Sequence, residues 1–302
     1  MTGLKNILSL NPHKSGMRQF IRNLLVILVL ISIVPIRGFA VEPAGTGKII
    51  NVVYDDSRSM YLNNETRWCQ AKYAMEVFCA MMDEADTMNI FSMNRSEVLT
   101  VKGDDADRVK KVHAMTSMYS GTPFSTVTRA GNALRNEDSS SERWLVVLTD
   151  GSFDNTTQST VQSTLDGYNQ VGIKTVYLAI GNDAVELQGN PSMGAYAEKA
   201  ANTSDILSKV TSIANQIFEH QVLDGSFVVN SSNETLLNID IPTNQIVIFA
   251  QGENASVGPL KLNGQTIKPT SSHSVKHSGD VMPLNSEEVR VDTSLYGVVV
   301  TY

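Results

Sequence analysis

Hydroxyl and carboxylate side chains at alternate positions follow an apolar segment near the start of the main body of the chain. Asp55, Ser57 and Ser59 come directly after Ile49–Tyr54, a run of six residues rich in Ile and Val. A run of this length and composition predicts a strand buried on both faces. One carboxylate and two hydroxyls are oxygen donors of the kind that a hard divalent cation prefers. Because the same residue types also form turns and helix caps, this segment alone does not establish a metal site.

Two further segments supply oxygen donors of the same kind. Thr122 lies in a Gly-Thr-Pro turn between two helical patterns, and Asp150 follows the apolar segment 144–149 and precedes a glycine. Ligands bind at the carboxyl ends of the strands in an open parallel α/β sheet, so we expect Asp150 and Asp55 to lie at the same edge. The candidate metal ligands are therefore Asp55, Ser57, Ser59, Thr122 and Asp150.

Alternating strand and helix patterns extend from residue 46 to residue 220. Strand patterns occur at 49–54, 87–92, 97–101, 144–149 and 174–180. Helical patterns occur at 66–84, 104–115, 125–134, 156–168, 194–202 and 205–218. Strands separated by helices of this length predict an α/β fold with a doubly wound, mainly parallel sheet and helices on both faces.

The pattern changes to strands alone after residue 222. Segments 226–229, 235–241, 245–250 and 295–302 are apolar or alternate between apolar and polar residues. Asn263-Gly264 is typical of the type I′ turn of a hairpin. We therefore predict a smaller, β-rich, sandwich-like module over residues 222–302. The last predicted strand reaches residue 302, which favours a module that continues in a longer chain.

Residues 1–40 have the composition of an export signal. Two arginines precede an apolar core at residues 24–34, and small residues at 38–40 are suited to cleavage by a signal peptidase. The core is short for a membrane span. Met17 is favoured as the true start, because the residues before it are unusual in a signal peptide. An uncleaved signal anchor is the alternative, and in either case we expect the body to lie outside the cytoplasmic membrane, secreted or at a bacterial cell surface.

The order of the five oxygen donors resembles that of the von Willebrand factor type A (vWA) domain, over residues 46–220. In that family these positions form the metal-ion-dependent adhesion site, and all of them have the expected residue type here. The resemblance implies that Ser57, Ser59 and Thr122 supply hydroxyl ligands. It also implies that the two carboxylates bind the ion directly or through water.

The same resemblance implies a cofactor and a partner. The cofactor is a divalent cation, with Mg²⁺ favoured over Mn²⁺ or Ca²⁺. The partner is a protein whose Asp or Glu carboxylate fills an open coordination position of that ion. We expect the membrane to be involved only through the N-terminal segment, if it is not cleaved.

Charge and missing catalytic groups exclude other classes of function. All 31 acidic residues but only 19 of the 24 basic residues follow residue 40, so the acidic body would repel the phosphates of a nucleic acid. No general base or nucleophile accompanies the five oxygen donors, so we expect no enzyme. An Asp55-dependent phosphatase is the competing class, although Ser57 stands where such enzymes need a second Asp. A third reading is an assembly module of an envelope complex with a structural metal.

Three other groups of residues are expected to have structural roles. Asp56, inside the motif, is expected to face solvent. His273 and His277 are expected to be solvated in a loop and not to form a ligand pair. Cys69 and Cys79 are ten residues apart on one predicted helix, hence about 15 Å apart, and are expected to be unpaired.

Overall fold

The apolar segment at the start of the α/β body forms a central strand of a six-stranded sheet. The structure is a computed structural model that describes residues 30–35, 47–61, 67–118, 120–219, 221–222, 243–252, 255–284 and 287–302. Its first sheet contains β2 (Ile49–Tyr54), β3 (Thr87–Ser92), β4 (Val98–Lys102), β5 (Arg143–Thr149), β6 (Lys174–Ile180) and β7 (Ala195–Ala200). The strand order is β4-β3-β2-β5-β6-β7, and only the β3–β4 pair is antiparallel. The predicted mainly parallel sheet is confirmed.

Helices cover both faces of this sheet, as predicted. They are α1 (Arg67–Met81), α2 (Arg108–His113), α3 (Ser125–Arg135), α4 (Gln158–Asn169) and α5 (Thr203–Phe218). Apolar side chains of α1, α2 and α5 pack on one face, and those of α3 and α4 pack on the other. Val52 of β2 belongs to the first core and Val53 to the second, and both are fully buried. Burial on both faces explains why this strand is mostly apolar instead of alternating.

Among the described residues, no helix is long and apolar enough to cross a membrane. Cys69 and Cys79 both lie on α1, where they are buried and are not joined by a disulfide, as predicted.

The segment 194–202 corrects one prediction, because it forms the edge strand β7 and not a helix. Ala, Glu and Lys in this segment favour helices by intrinsic propensity, which is a weak preference that tertiary contacts override. Gly194, with φ of 73°, turns the chain into the strand. The ring of Tyr196 stacks on that of Trp144 with centroids 5.9 Å apart. Pairing with β6 and this stacking outweigh the local preference for a helix.

A second, antiparallel sheet is formed by strands from both ends of the chain. Its strands are β1 (Leu30–Pro35), β8 (Gln221–Val222), β9 (Thr243–Gln251), β12 (Ser271–Leu284) and β13 (Glu287–Thr301), in the order β12-β13-β9-β1-β8. A separate hairpin contains β10 (Lys261–Leu262) and β11 (Gln265–Thr266). Its turn residues Asn263 and Gly264 both have positive φ, as a type I′ turn requires.

The predicted export signal and two predicted strands fall wholly or partly outside the described residues. Strand β1 lies within the predicted export signal, and the rest of residues 1–40 is outside the described residues. The export signal itself stays a prediction. The predicted strands at 226–229 and 235–241 are also outside the described residues.

The second sheet packs directly on helices of the α/β body. Phe249, Val275 and Val299 belong to the same hydrophobic core as the residues of α1 and α5. The Tyr73 hydroxyl donates to Gln251 Oε1 at 3.0 Å, and the Gln251 amide donates to Thr211 Oγ1 at 2.7 Å. Apolar packing and buried hydrogen bonds therefore join the described part of this sheet to the body.

Strand β12 carries His273 and His277, which we expected in a solvated loop. That expectation was wrong, since His277 is completely buried and His273 is partly buried. Alternate residues of a strand point to the same side, and Val275 between them is buried as well. The apolar and polar alternation at 273–277 was the sequence signal for a strand, and the nearby Ser, Gly and Pro residues obscured it.

The partly buried ring of His273 predicts a loss of stability in mild acid. Burial, and then the charge of Arg108, lowers the pKa of His273 to about 4. An unfolded chain protonates this ring near pH 6.5, so folding loses stability as the pH falls from about 6.5 towards about 4. We expect His273→Gln to reduce the loss between pH 7 and pH 5 by about 1 kcal/mol, a value discounted for the solvent access of the ring. Urea unfolding at both pH values measures this difference, and equal losses in the two proteins would contradict it.

Candidate metal site

The carboxylate of Asp55 is held in a fixed position at the end of β2. It is fully buried, and its Oδ1 accepts a hydrogen bond from the Ser57 backbone N–H at 3.0 Å. Its Oδ2 accepts from the Thr149 hydroxyl at 2.6 Å, at the end of the neighbouring strand β5. The parallel pairing of β2 and β5 brings the two strand ends to the same edge of the sheet, as the sequence pattern predicted.

The two serine hydroxyls lie side by side in the loop that follows. Ser57 Oγ and Ser59 Oγ are 3.1 Å apart. A short 3₁₀ turn at Arg58–Met60 produces this arrangement. The Arg58 backbone N–H donates to the Ser120 carbonyl oxygen at 2.9 Å, and Ser57 pairs with Ser120 in an isolated parallel bridge. The loop of the serines is thereby attached to the turn that contains the predicted threonine.

Thr122 is buried in that turn, which is also attached to the loop after β5. The Thr122 backbone N–H donates to Asp154 Oδ2 at 2.7 Å, and the Asp154 N–H donates back to the Thr122 carbonyl at 2.9 Å. A Cβ atom at Gly121 would lie only 2.5 Å from the same Asp154 oxygen, so a larger residue here would displace the Asp154 carboxylate from its hydrogen bond with Thr122. The three loops that carry the candidate ligands therefore lie together.

Asp150, at the end of β5, is buried near Asp55. Its Oδ1 accepts from the Ser152 backbone N–H at 3.2 Å, and Arg67 Nη1 lies 3.4 Å from its Oδ2. Burial, followed by repulsion from the Asp150 charge, raises the pKa of Asp55 to about 7. Two carboxylates that disfavour each other's ionisation would be stabilised by a cation between them.

The donor set fits a hard divalent cation. Two buried carboxylates and three hydroxyls offer oxygen atoms only, which suits Mg²⁺, Mn²⁺ or Ca²⁺. The raised pKa of Asp55, caused by burial and by Asp150, indicates a local deficit of positive charge. The structure therefore brings the loops that carry the five predicted residues together at one edge of the sheet.

Arg67 is a residue of this site that the sequence pattern did not reveal. It is the first residue of α1, and its guanidinium contacts both Asp150 and Asp183. A Cβ atom at Gly181 would lie 2.6 Å from Arg67 Nε, so a glycine makes room for the guanidinium. Only the fold brings α1, β5 and the loop after β6 together, and no spacing in the sequence indicated this contact.

Asp56 corrects another prediction, because it is fully buried and does not face solvent. Its carboxylate accepts from the backbone and side chain of Asn94 at 3.2 and 3.1 Å, and from the Met118 backbone N–H at 3.1 Å. These hydrogen bonds satisfy the buried carboxylate of Asp56. Its position between the candidate ligands Asp55 and Ser57 had indicated a side chain that faces solvent. Asp56 thus holds the loop after β3 and the segment before Thr122 in position beside the candidate metal site.

Comparison with known proteins gives similarities of fold only. No family model and no curated protein matches the chain. The VWA domain of SpRpn10 is similar at 11% identity and a TM-score of 0.44, over 55% of this chain and 95% of that domain. Proximal thread matrix protein 1 from the mussel byssus, in a structure with a zinc-occupied MIDAS motif, has 13% identity and a TM-score of 0.44, over 57% of this chain and 48% of the mussel protein.

The pilus adhesin SpaC from Lactobacillus rhamnosus GG has 11% identity and a TM-score of 0.47, over 85% of this chain and 39% of SpaC. At such identities and TM-scores, none of these similarities indicates a function for this chain. The function of this chain is therefore inferred from its own residues.

Proposed function

We propose that the chain is a metal-dependent protein-binding domain that acts outside the cytoplasmic membrane. Asp55, Ser57, Ser59, Thr122 and Asp150 would hold a divalent cation, with Mg²⁺ favoured. The observation that carries the proposal is that three loops, distant in sequence, bring two buried carboxylates, a pair of serine hydroxyls and the buried Thr122 to one edge of the sheet.

The residues around the carboxylates limit how much negative charge faces an ion. Thr149 and the Ser57 backbone N–H already use one lone pair on each oxygen of Asp55. Arg67 offsets part of the charge of Asp150. A divalent cation at this site would supply an electrophilic centre, and three of its candidate ligands are neutral hydroxyls. Under these conditions a carboxylate from a protein partner is a favourable further ligand.

An enzymatic role is the weaker alternative. A phosphatase with Asp55 as nucleophile needs a carboxyl group two residues on, and that residue is Ser57. Asp55 is also fully buried and hydrogen-bonded through both oxygens, which restrains it as a nucleophile. Turnover of p-nitrophenyl phosphate with Mg²⁺ that is lost in Asp55→Ala would overturn the binding proposal.

Binding of Mn²⁺ to the full chain tests the proposal directly. Electron paramagnetic resonance measures free Mn²⁺, and the relaxation of water protons reports on waters that remain on the bound ion. We expect one Mn²⁺ ion to bind in competition with Mg²⁺ and to retain exchangeable water. A short peptide with a single Asp is then expected to lower the relaxation enhancement, whereas the same peptide with Asn is not.

The possible results distinguish a chain that binds no metal, a chain with a structural metal and a chain that binds a partner carboxylate through the metal. If Mn²⁺ does not bind, the metal-dependent proposal is wrong. If it binds and the Asp peptide has no effect even at millimolar concentration, the metal is structural, and the assembly-module alternative replaces carboxylate capture. Displacement of water by the Asp peptide alone supports a metal-bridged contact.

A further inference from the structure

A second group of side chains of types that can bind a metal lies between α1, α2 and β12, and it contains none of the five oxygen donors. Glu76 of α1 places its Oε1 3.1 Å from His113 Nδ1 and 3.1 Å from His277 Nε2. His113 is the last residue of α2, and His277 lies on β12. The ligand atoms of all three lie within 4.8 Å of one another.

Two of these three polar side chains are completely buried, which is unusual for ionisable groups. Glu76 and His277 are completely buried. Glu76 Oε1 interacts with both imidazoles, whereas the buried Glu76 Oε2 has no hydrogen-bond partner in the part of the chain that the structure describes. A buried carboxylate oxygen without a partner is destabilising, and native structures retain few of them. This oxygen is therefore a second sign, besides the geometry, that another ligand belongs at the site.

Access from solvent is provided by His113. Its side chain is 49% exposed, although its Nδ1 points inward to Glu76. An ion from solution thus has a path along this ring to the buried carboxylate.

The two distances from Glu76 to the imidazoles fit a small cation with tetrahedral coordination. Zn²⁺ binds imidazole nitrogen and carboxylate oxygen at about 2.0 to 2.2 Å, which places tetrahedral ligand atoms about 3.3 Å from each other. The two observed separations of 3.1 Å differ little from this value. An imidazole nitrogen binds a metal ion only without its proton, so binding at this site releases any proton that these nitrogens share with Glu76.

We propose that Glu76, His113 and His277 form a second metal site, which takes Zn²⁺ or a similar transition metal. Two nitrogen donors and one carboxylate favour such ions over Mg²⁺ and Ca²⁺, which prefer oxygen donors alone. The chain would thus carry two sites with different metal preferences. This inference does not depend on the proposed function of the first site.

The position of the second site indicates what the ion would do. Glu76 and His277 are 201 residues apart in sequence, and they belong to the α/β body and to the second sheet. An ion bound to both fastens β12 to α1, and His113 attaches α2 to the same point. Because a ligand that binds only the folded state stabilises it, Zn²⁺ is expected to hold the second sheet on the body.

Metal binding to the untagged full chain tests this proposal, with Mg²⁺ present throughout. Titration with ZnCl₂ by calorimetry gives affinity, and Co²⁺ in place of Zn²⁺ gives a visible absorption spectrum that reports nitrogen ligation. We expect one nitrogen-ligated Co²⁺ or Zn²⁺ ion per chain. His113→Ala is expected to weaken its binding by about tenfold or more. His113 is half exposed, so this variant is suited to folding normally.

Two controls identify the site. His273→Ala removes an imidazole from the same strand as His277, and Asp150→Ala disrupts the oxygen site; both are expected to retain the nitrogen-ligated Co²⁺ spectrum. His277→Gln, which keeps most of the buried volume, is expected to lose it. Equal Zn²⁺ affinity in wild type and His113→Ala would overturn the proposal, as would a Co²⁺ spectrum that disappears in Asp150→Ala but persists in His113→Ala.

Discussion

Asp150→Ala is expected to abolish the stabilisation of the chain by Mg²⁺ while leaving the metal-free fold intact. An ion that binds only the folded state stabilises it by about 2.7 kcal/mol at a hundredfold excess over its dissociation constant. The variant removes one of two buried carboxylates at the site. Urea unfolding in EDTA and in increasing Mg²⁺ measures the increment, which should grow with the logarithm of Mg²⁺ concentration in wild type and stay near zero in Asp150→Ala.

Without metal, the Asp150→Ala variant is expected to keep the stability of wild type. Asp150 raises the pKa of Asp55, although less than burial does, so its removal relieves repulsion between the two carboxylates. Arg67 keeps its contact with Asp183. In EDTA at pH 7 we therefore expect Asp150→Ala to be about as stable as wild type. Asp55 would then ionise more readily, because a like charge has been removed.

Asp166→Ala is the matched control for this variant. Asp166 is an exposed acid on α4 whose carboxylate accepts from Gln162 at 3.0 Å. The control loses the same charge and the same side chain at a position outside the three loops, so it should keep the full Mg²⁺ increment. Loss of the increment in both variants would indicate a general charge effect, and its persistence in Asp150→Ala would contradict the site.

The sheet, and the position of the candidate ligands at one of its edges, could be predicted because both depend on local sequence. Strands buried on both faces require continuous apolar runs, and β2, β5 and β6 each show one. Asp55 and Asp150 directly follow two of these runs, and parallel pairing places them at the same edge. The residue order also carried the resemblance to vWA domains, which supplied the roles of the hydroxyls.

What the sequence did not indicate depends on contacts between distant segments. Strand β7 has the composition of a helix, and pairing with β6 together with the contact between Tyr196 and Trp144 overrides it. Asp56 is buried because Asn94 and Met118 donate to it, 38 and 62 residues away in sequence. Residues as far apart as Glu76 and His277 share no local pattern, so their contact emerges only from the fold.

Trp144→Ala is expected to be among the most destabilising single substitutions in the α/β body. Trp144 is fully buried on β5, stacks on Tyr196, and donates from Nε1 to Glu142 Oε1 at 3.1 Å. Truncating a buried Trp to Ala costs about 3–5 kcal/mol, against about 5–15 kcal/mol for the whole stability of a typical domain. Urea unfolding in EDTA should show this loss, and Trp144→Phe, which retains an aromatic ring against Tyr196, should show a smaller one.

The same variant tests whether the affinity of the candidate site for Mg²⁺ depends on the stability of the fold. Trp144 and Asp150 are six residues apart along one strand, hence about 20 Å apart, and effects at such distances are usually additive. Trp144→Ala should therefore have a lower free energy of unfolding than wild type in EDTA. Mg²⁺ should raise that free energy by the same amount in both proteins. A smaller increment would mean that the metal ligands depend on core packing at the opposite end of β5. An equal increment would show that the three loops and their hydrogen bonds hold the site locally.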